Sequence, residues 1–151
     1  GGLVLDLLAR QHPDLVSGLV FVEPTSEFLP SIGSSPQNAA FFTSGREGMA
    51  PGEGVWFEDA FEAVASAPPL PLVPAVVLSA DRFPPPEQLT ADTYTQAQIH
   101  RANDMLAAAL GTTNLVVDGS GHNMMLYQPK AVADNIIGIV EPARSIYARR
   151  G

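Results

Sequence analysis

The sequence predicts an α/β fold with three parallel core strands and flanking helices, and three observations carry that expectation. Apolar runs of strand length recur near 19–23, 73–80 and 113–118. Apolar residues around them fall at helical spacing. The last run, Leu115-Val116-Val117 with Thr112-Thr113-Asn114 ahead of it, leads into a glycine-rich turn, Asp118-Gly119-Ser120-Gly121-His122-Asn123. In open parallel sheets reactive groups collect at the carboxyl ends of the strands, where loops line a crevice between helix layers. His122 stands at such a place and is a candidate catalytic base, although position alone fits an ordinary loop histidine that hydrogen-bonds locally. The glycines flanking Ser120 permit a tight turn. Pro129 suits the first position of the helix that follows, with Val132, Ile136, Ile139 and Val140 at helical spacing.

Taken in order, 3–11 reads as a helix with Leu3, Val4, Leu7 and Leu8 on one face, stopped by Pro13 because the residue before a proline is pushed out of helical geometry. His12 is expected to be a solvated helix-end residue with no role. Leu19-Val20-Phe21-Val22 is a continuous apolar run, as in a strand covered on both faces, and it ends at Glu23-Pro24. From 25 to about 72 the periodicity fails and Gly, Pro, Ser and Ala dominate. Loop chemistry at 31–36 and 48–54 separates two short helices expected at 37–42 and 55–65. That stretch is too long for a plain connection between strands. Pro68-Pro69-Leu70-Pro71 is a stiff connector back to the sheet. After the strand at 73–80 come Asp81-Arg82-Phe83, then a helix expected over 90–110 with Tyr94, Ile99, Met105, Leu106 and Leu110 apolar and Gly111 as its stop. His100, beside Arg101, is expected at the surface, and no second ligand stands near it at metal-binding spacing.

Composition excludes several classes of function. With 46% hydrophobic and only 16% charged residues, the chain has material for a core and lacks the signature of disorder. Sixteen acidic against eight basic residues, a net charge of -8, argue against nucleic acid or an anionic membrane surface as partner. No apolar run approaches the roughly 18 residues of a membrane span, so no transmembrane segment is expected. The absence of cysteine rules out a disulfide framework, a thiol nucleophile and a Cys-ligated zinc site within the chain. It leaves the compartment, cytoplasmic or secreted, open.

Gly119-Ser120-Gly121-His122, followed by a short apolar stretch, Gln128-Pro129 and an amphipathic helix, resembles the final strand, histidine loop and last helix of the α/β-hydrolase family. The opening run from Gly1-Gly2-Leu3-Val4 to Phe21-Val22-Glu23-Pro24 is similar to the helix after that family's nucleophile elbow and the strand beyond it. The resemblance implies a partial α/β-hydrolase fold, with 1–24 and 73–151 as the C-terminal part of the core and 25–72 as a lid or cap insertion. It makes Gly1 and Gly2 a remnant of the G-x-S-x-G elbow and puts the nucleophile upstream of residue 1.

The same resemblance assigns roles. The family's order is nucleophile, acid, histidine, so His122 is the expected general base. The acid must lie at the same sheet edge, where Glu23 and Asp81 both end strands. In most of the family the acid stands a little beyond the second-to-last strand, at the place held here by Phe83. Asp81 comes early, able to reach the ring or to pair with Arg82. Some members carry the acid directly after the strand that precedes the lid, where Glu23 stands. Glu23 is therefore the preferred acid, Asp81 the alternative, and Glu27 a third candidate.

In such a triad the nucleophile attacks, the imidazole takes a proton, and the carboxylate holds the ring's other nitrogen. Serine as nucleophile goes with esters, amides and lactones; aspartate goes with epoxides or haloalkanes. The expectation is a carboxyl-ester hydrolase for a small apolar ester-like substrate, inactive as residues 1–151 alone. It requires no metal and no organic cofactor, since backbone N–H groups hold the oxyanion. Phe28, Phe41, Phe42, Met49, Trp56 and Phe61 are candidates to line the substrate pocket, against the competing role of packing the insertion on the body. The alternative from another class is a non-catalytic α/β binding domain or a degenerate hydrolase. The first strand, if unpaired on one side, is expected to favour self-association through its exposed edge.

Overall fold

The computed structural model describes residues 1–48 and 54–150. Met49 and most of the loop expected at 48–54 lie outside the described residues. In chain order the elements are α1 (Gly2–Gln11), β1 (Leu19–Val22), α2 (Leu29–Ile32), α3 (Ser35–Glu47), α4 (Phe57–Ala65), β2 (Ala75–Ala80), α5 (Gln96–Ala109), β3 (Asn114–Val117), α6 (Met124–Tyr127) and α7 (Pro129–Arg150).

The strands form one parallel sheet in the order β1-β2-β3. Leu19 pairs with Ala75 and Val22 with Leu78; Val77 pairs with Asn114 and Ala80 with Val117. All three carboxyl ends therefore point the same way. Residues Val76 to Ala80 of β2 are buried, which is why this strand reads as a continuous run rather than an alternating one. One face of the sheet packs Leu19, Phe21 and Val77 against Ala9 of α1 and Leu106 and Leu110 at α5. The other packs Val76, Leu78 and Ala80 against Met124 of α6 and Val132 of α7. This is a mixed α/β architecture with helices on both faces. Among the described residues no helix is long and apolar enough to cross a membrane.

Three local differences from the expected pattern have physical causes. The buried stripe of α1 is Leu3, Asp6 and Ala9, while Val4 and Leu8 are exposed. Ala9 lets the helix approach the sheet closely, and Asp6 tolerates burial because Arg10 Nε lies 2.5 Å from its carboxylate. Second, α5 begins at Gln96 rather than near 90. Thr95 accepts from the Gln98 backbone N–H and Gln98 reaches back to the Thr95 N–H, a capping box that defines the helix start. Tyr94 thus stands just before the helix rather than on it. Third, α3 starts at Ser35 rather than at 37 because Ser34 and Gln37 form a second capping box ahead of it, and it runs on to Glu47.

The segment between β1 and β2 carries α2, α3 and α4 and is tied down by polar contacts. Arg10 bonds Glu27 at the start of the segment and donates to the Pro68 carbonyl near its end, 2.9 Å away. Ser26 donates to the Ala102 carbonyl of α5 at 2.9 Å, and Tyr94 donates to Asn38 of α3 at 2.5 Å. Aromatic rings knit α3 to α4: Phe41 to Phe57 at 4.4 Å between centroids, Phe42 to Phe61 at 5.9 Å.

Candidate functional site

At the carboxyl end of β1 the chain makes its last ladder bond, from the Glu23 N–H to the Leu78 carbonyl at 2.8 Å, and then turns sharply. Glu23 takes φ +45°, a left-handed conformation uncommon for a residue with a side chain. Such outliers persist only where surrounding structure holds them, and they concentrate at functional sites. The turn is braced from below by α1. A Cβ added at Gly2 would lie 2.8 Å from the Pro24 Cβ and 3.0 Å from the Thr25 carbonyl, so only glycine allows this approach. Gly1, the other residue of the expected elbow remnant, meets no such constraint.

The turn buries the Glu23 side chain, 5% exposed, and carries its carboxylate across the sheet end to accept from the Ala80 backbone N–H. On the other side of Ala80, the carbonyl lies 2.8 Å from His100 Nε2. A carbonyl only accepts, so that nitrogen carries the proton. Burial pushes the Glu23 carboxyl up to about 7, against the opposing pull of the Ala80 N–H and of His100. Glu23 therefore changes charge near neutral pH, the range useful to a general acid or base.

His100 is thus half-buried against the end of β2, not a free surface residue. It belongs to a polar stripe on α5: Gln96 donates to the Asp81 carbonyl, His100 to that of Ala80, and Asn103 to the Ser79 hydroxyl at 2.8 Å. These residues stand at i, i+4 and i+7, one face of a helix. That spacing was the available signal for His100, and it pairs these residues with Ser79 and Ala80 of β2 and with Asp81 just past it.

Asp81 does different work from Glu23. Its two oxygens accept from the Gly119 and Ser120 N–H groups, each at 2.8 Å, and the Arg82 N–H donates to the Ser120 carbonyl at 3.0 Å. Those bonds, led by the one from Gly119, hold its carboxyl below the usual carboxylate range. Arg82 stands 3.7 Å away as a loose ion-pair partner. The Ser120 hydroxyl, buried, donates to the Val117 carbonyl at 2.6 Å. The turn bearing His122 is therefore fastened to the end of β2 through Asp81.

His122 sits at the mouth of the site, exposed on one side and stacked on Phe83 on the other, with ring centroids 4.8 Å apart. Partial burial holds the imidazole below its ordinary pKa. Among the described residues no hydrogen bond joins the ring to Glu23, Asp81 or Glu27; Glu27 is engaged with Arg10.

Glu23 and His122 nevertheless line one cavity of about 520 Å³, in the size range of small-molecule sites. Its walls are mostly apolar: Leu29, Phe41, Phe57, Phe83, Tyr94 and Ile99. Of the aromatic residues expected to line a pocket, Phe41 is in this wall. Phe28 packs between two core clusters, Phe42 and Phe61 pack on each other, Trp56 is 64% exposed and Met49 is outside the described residues. Phe57, Tyr94 and Phe83 take their places. In the sequence Tyr94 reads as an apolar helix residue, Phe83 follows a strand and Phe57 falls within the helix expected at 55–65, but spacing along one element does not aim a side chain. Among the described residues no group of His, Asp and Glu could hold a metal ion.

Comparison with models of known families, with curated proteins and with solved structures gives no match for this chain.

Proposed function

We propose that the cavity is the substrate site of an α/β-hydrolase-type ester hydrolase, with His122 as general base, Glu23 as acid and the 25–72 segment as its lid. What supports the reading is that an imidazole and a buried carboxylate, from distant strand ends, line one apolar cavity at the carboxyl edge of a parallel sheet. In this reading a hydroxyl nucleophile adds to the ester carbonyl carbon and its proton passes to His122. Collapse of the tetrahedral intermediate returns that proton to the departing alcohol. Water, deprotonated by His122, then attacks the acyl carbon; the bond to the nucleophile oxygen breaks, that oxygen recovers the proton from the imidazolium, and the acid is freed. An imidazole whose pKa is lowered by burial suits the proton-accepting step. The reading requires a nucleophile that the described residues do not bring to His122. An aspartate nucleophile would direct the same site to epoxides or haloalkanes.

A second reading, a non-catalytic binding domain, is favoured by one observation: the Glu23 carboxylate is bonded to Ala80 and coupled to His100 rather than to His122. Labelling of the native protein with a serine-directed phosphonate, alongside turnover of p-nitrophenyl butyrate, separates the two. Labelling lost in His122→Ala supports the hydrolase. Ligand binding without labelling or turnover supports the binding domain.

A further inference from the structure

The cavity extends from the sheet end to α3 and α4, where Gly45 and Phe57 face each other. Gly45 is buried in the last turns of α3. A Cβ added there would overlap the Phe57 ring, so the ring rests directly on the glycine backbone. The backbones are drawn equally close: the Val55 N–H donates to the Gly45 carbonyl at 2.6 Å, and the added Cβ would stand 2.8 Å from the Val55 carbonyl. Phe41 at 4.4 Å and Phe61 at 6.2 Å, centroid to centroid, occupy the flanks of the Phe57 ring. Gly45, Val55 and Phe57 all line the cavity.

Resting on the reading of this cavity as a substrate site, we propose that the Gly45–Phe57 contact is the stop that sets how long an apolar arm the site accepts. The ligands are neutral carbonyl compounds whose polar end lies toward Glu23 and His122. Their arm runs along Phe41 and ends at Phe57. The stop is adjustable from both sides. A methyl at residue 45 overlaps the Phe57 ring and stands 2.8 Å from the Val55 carbonyl, so the ring must yield toward the arm with a shift of that carbonyl, and a smaller residue at 57 removes the barrier.

The test is calorimetric binding of methyl n-alkyl ketones, from butanone to undecanone, to the wild-type chain and to Gly45→Ala, Phe57→Leu and the double variant. Ketones lack a leaving group, so binding is read without turnover. Wild-type affinity is expected to rise about fourfold per methylene, the value of burying one CH₂, and then level off. Gly45→Ala levels at a shorter chain, Phe57→Leu at a longer one, and the double variant returns toward wild type. Should Gly45→Ala fail to fold, Phe57→Leu alone carries the test. An unchanged levelling length in Phe57→Leu overturns the stop and leaves the cavity reading standing. Absence of ketone binding at every length in the wild type overturns the cavity reading and the stop with it.

Discussion

The carboxylate of Glu23 accepts from the main-chain N–H of Ala80, so a residue just past β1 caps the end of β2, while the Ala80 carbonyl receives His100 from α5. One peptide unit pair thus joins two ionisable groups that lie far apart in the chain.

This arrangement makes stability pH-dependent in a defined direction. The folded Glu23 carboxyl is raised from 4.5 to about 7. A raised carboxyl contributes stability fully below its unfolded value, and the contribution is lost as pH climbs through the folded value. Urea unfolding at pH 4.5 and pH 8 is expected to show Glu23→Gln losing less stability than wild type across that interval, by ~3 kcal/mol. Comparison with the variant is essential because Asp6 and Glu27, also raised chiefly by burial, act in the same direction. His122, lowered, acts in the opposite one, stabilising above its ordinary value and losing that contribution as pH falls through the folded value. Equal pH dependence in the two proteins would refute the assignment.

Asp81 is expected to act on His122 by position. Asp81→Ala removes both acceptors for the Gly119 and Ser120 N–H groups, so amide exchange at these two residues should accelerate. In the hydrolase reading turnover falls about 10²-fold, the scale of a misplaced catalytic group. Loss of Glu23 should cost more, on the order of 10⁴-fold for a triad acid. Because its carboxyl is held low, the Asp81 clamp is present above the ordinary carboxylate range and released as pH falls through the folded value. If Asp81→Ala abolishes turnover while Glu23→Gln retains most of it, Asp81 is the triad acid and Glu23 the structural carboxylate.

Arg10 lies between the buried carboxylate of Asp6 and the partly buried one of Glu27 and is itself 10% exposed. Arg10→Met leaves Asp6 and Glu27 without their counter-charge, and removing one partner of a buried ion pair costs about 3–5 kcal/mol. The deficit is expected to be smaller at pH 5 than at pH 8, since protonation relieves both acids. Denaturant melts at the two values measure it.

The capping box ahead of α5 should be worth about 1 kcal/mol, so Thr95→Ala is expected to lower the urea midpoint by a corresponding amount while leaving the slope unchanged. A variant indistinguishable from wild type would mean that packing at Ile99 and Ala102, rather than the cap, sets the helix start.

The sequence by itself determined the three strands, their parallel class and the placing of Glu23, Asp81 and His122 at strand ends. Those follow from local rules: β-branched runs, helical spacing between them, and turn residues where a strand stops. Gly2 was marked by sequence, but its reason, the approach of Pro24, belongs to packing.

Tertiary structure decided which carboxylate does what. Asp81 and Glu23 look alike as strand-end acids, yet one oxygen pair meets two loop N–H groups and the other side chain is buried against Ala80. It also selected Phe57, Phe83 and Tyr94 over Phe28, Phe42, Phe61 and Trp56 for the cavity, and brought His100 to the sheet end. The direction a side chain takes depends on the crossing of elements distant in sequence, and periodicity along one element carries no information about the neighbour it will meet.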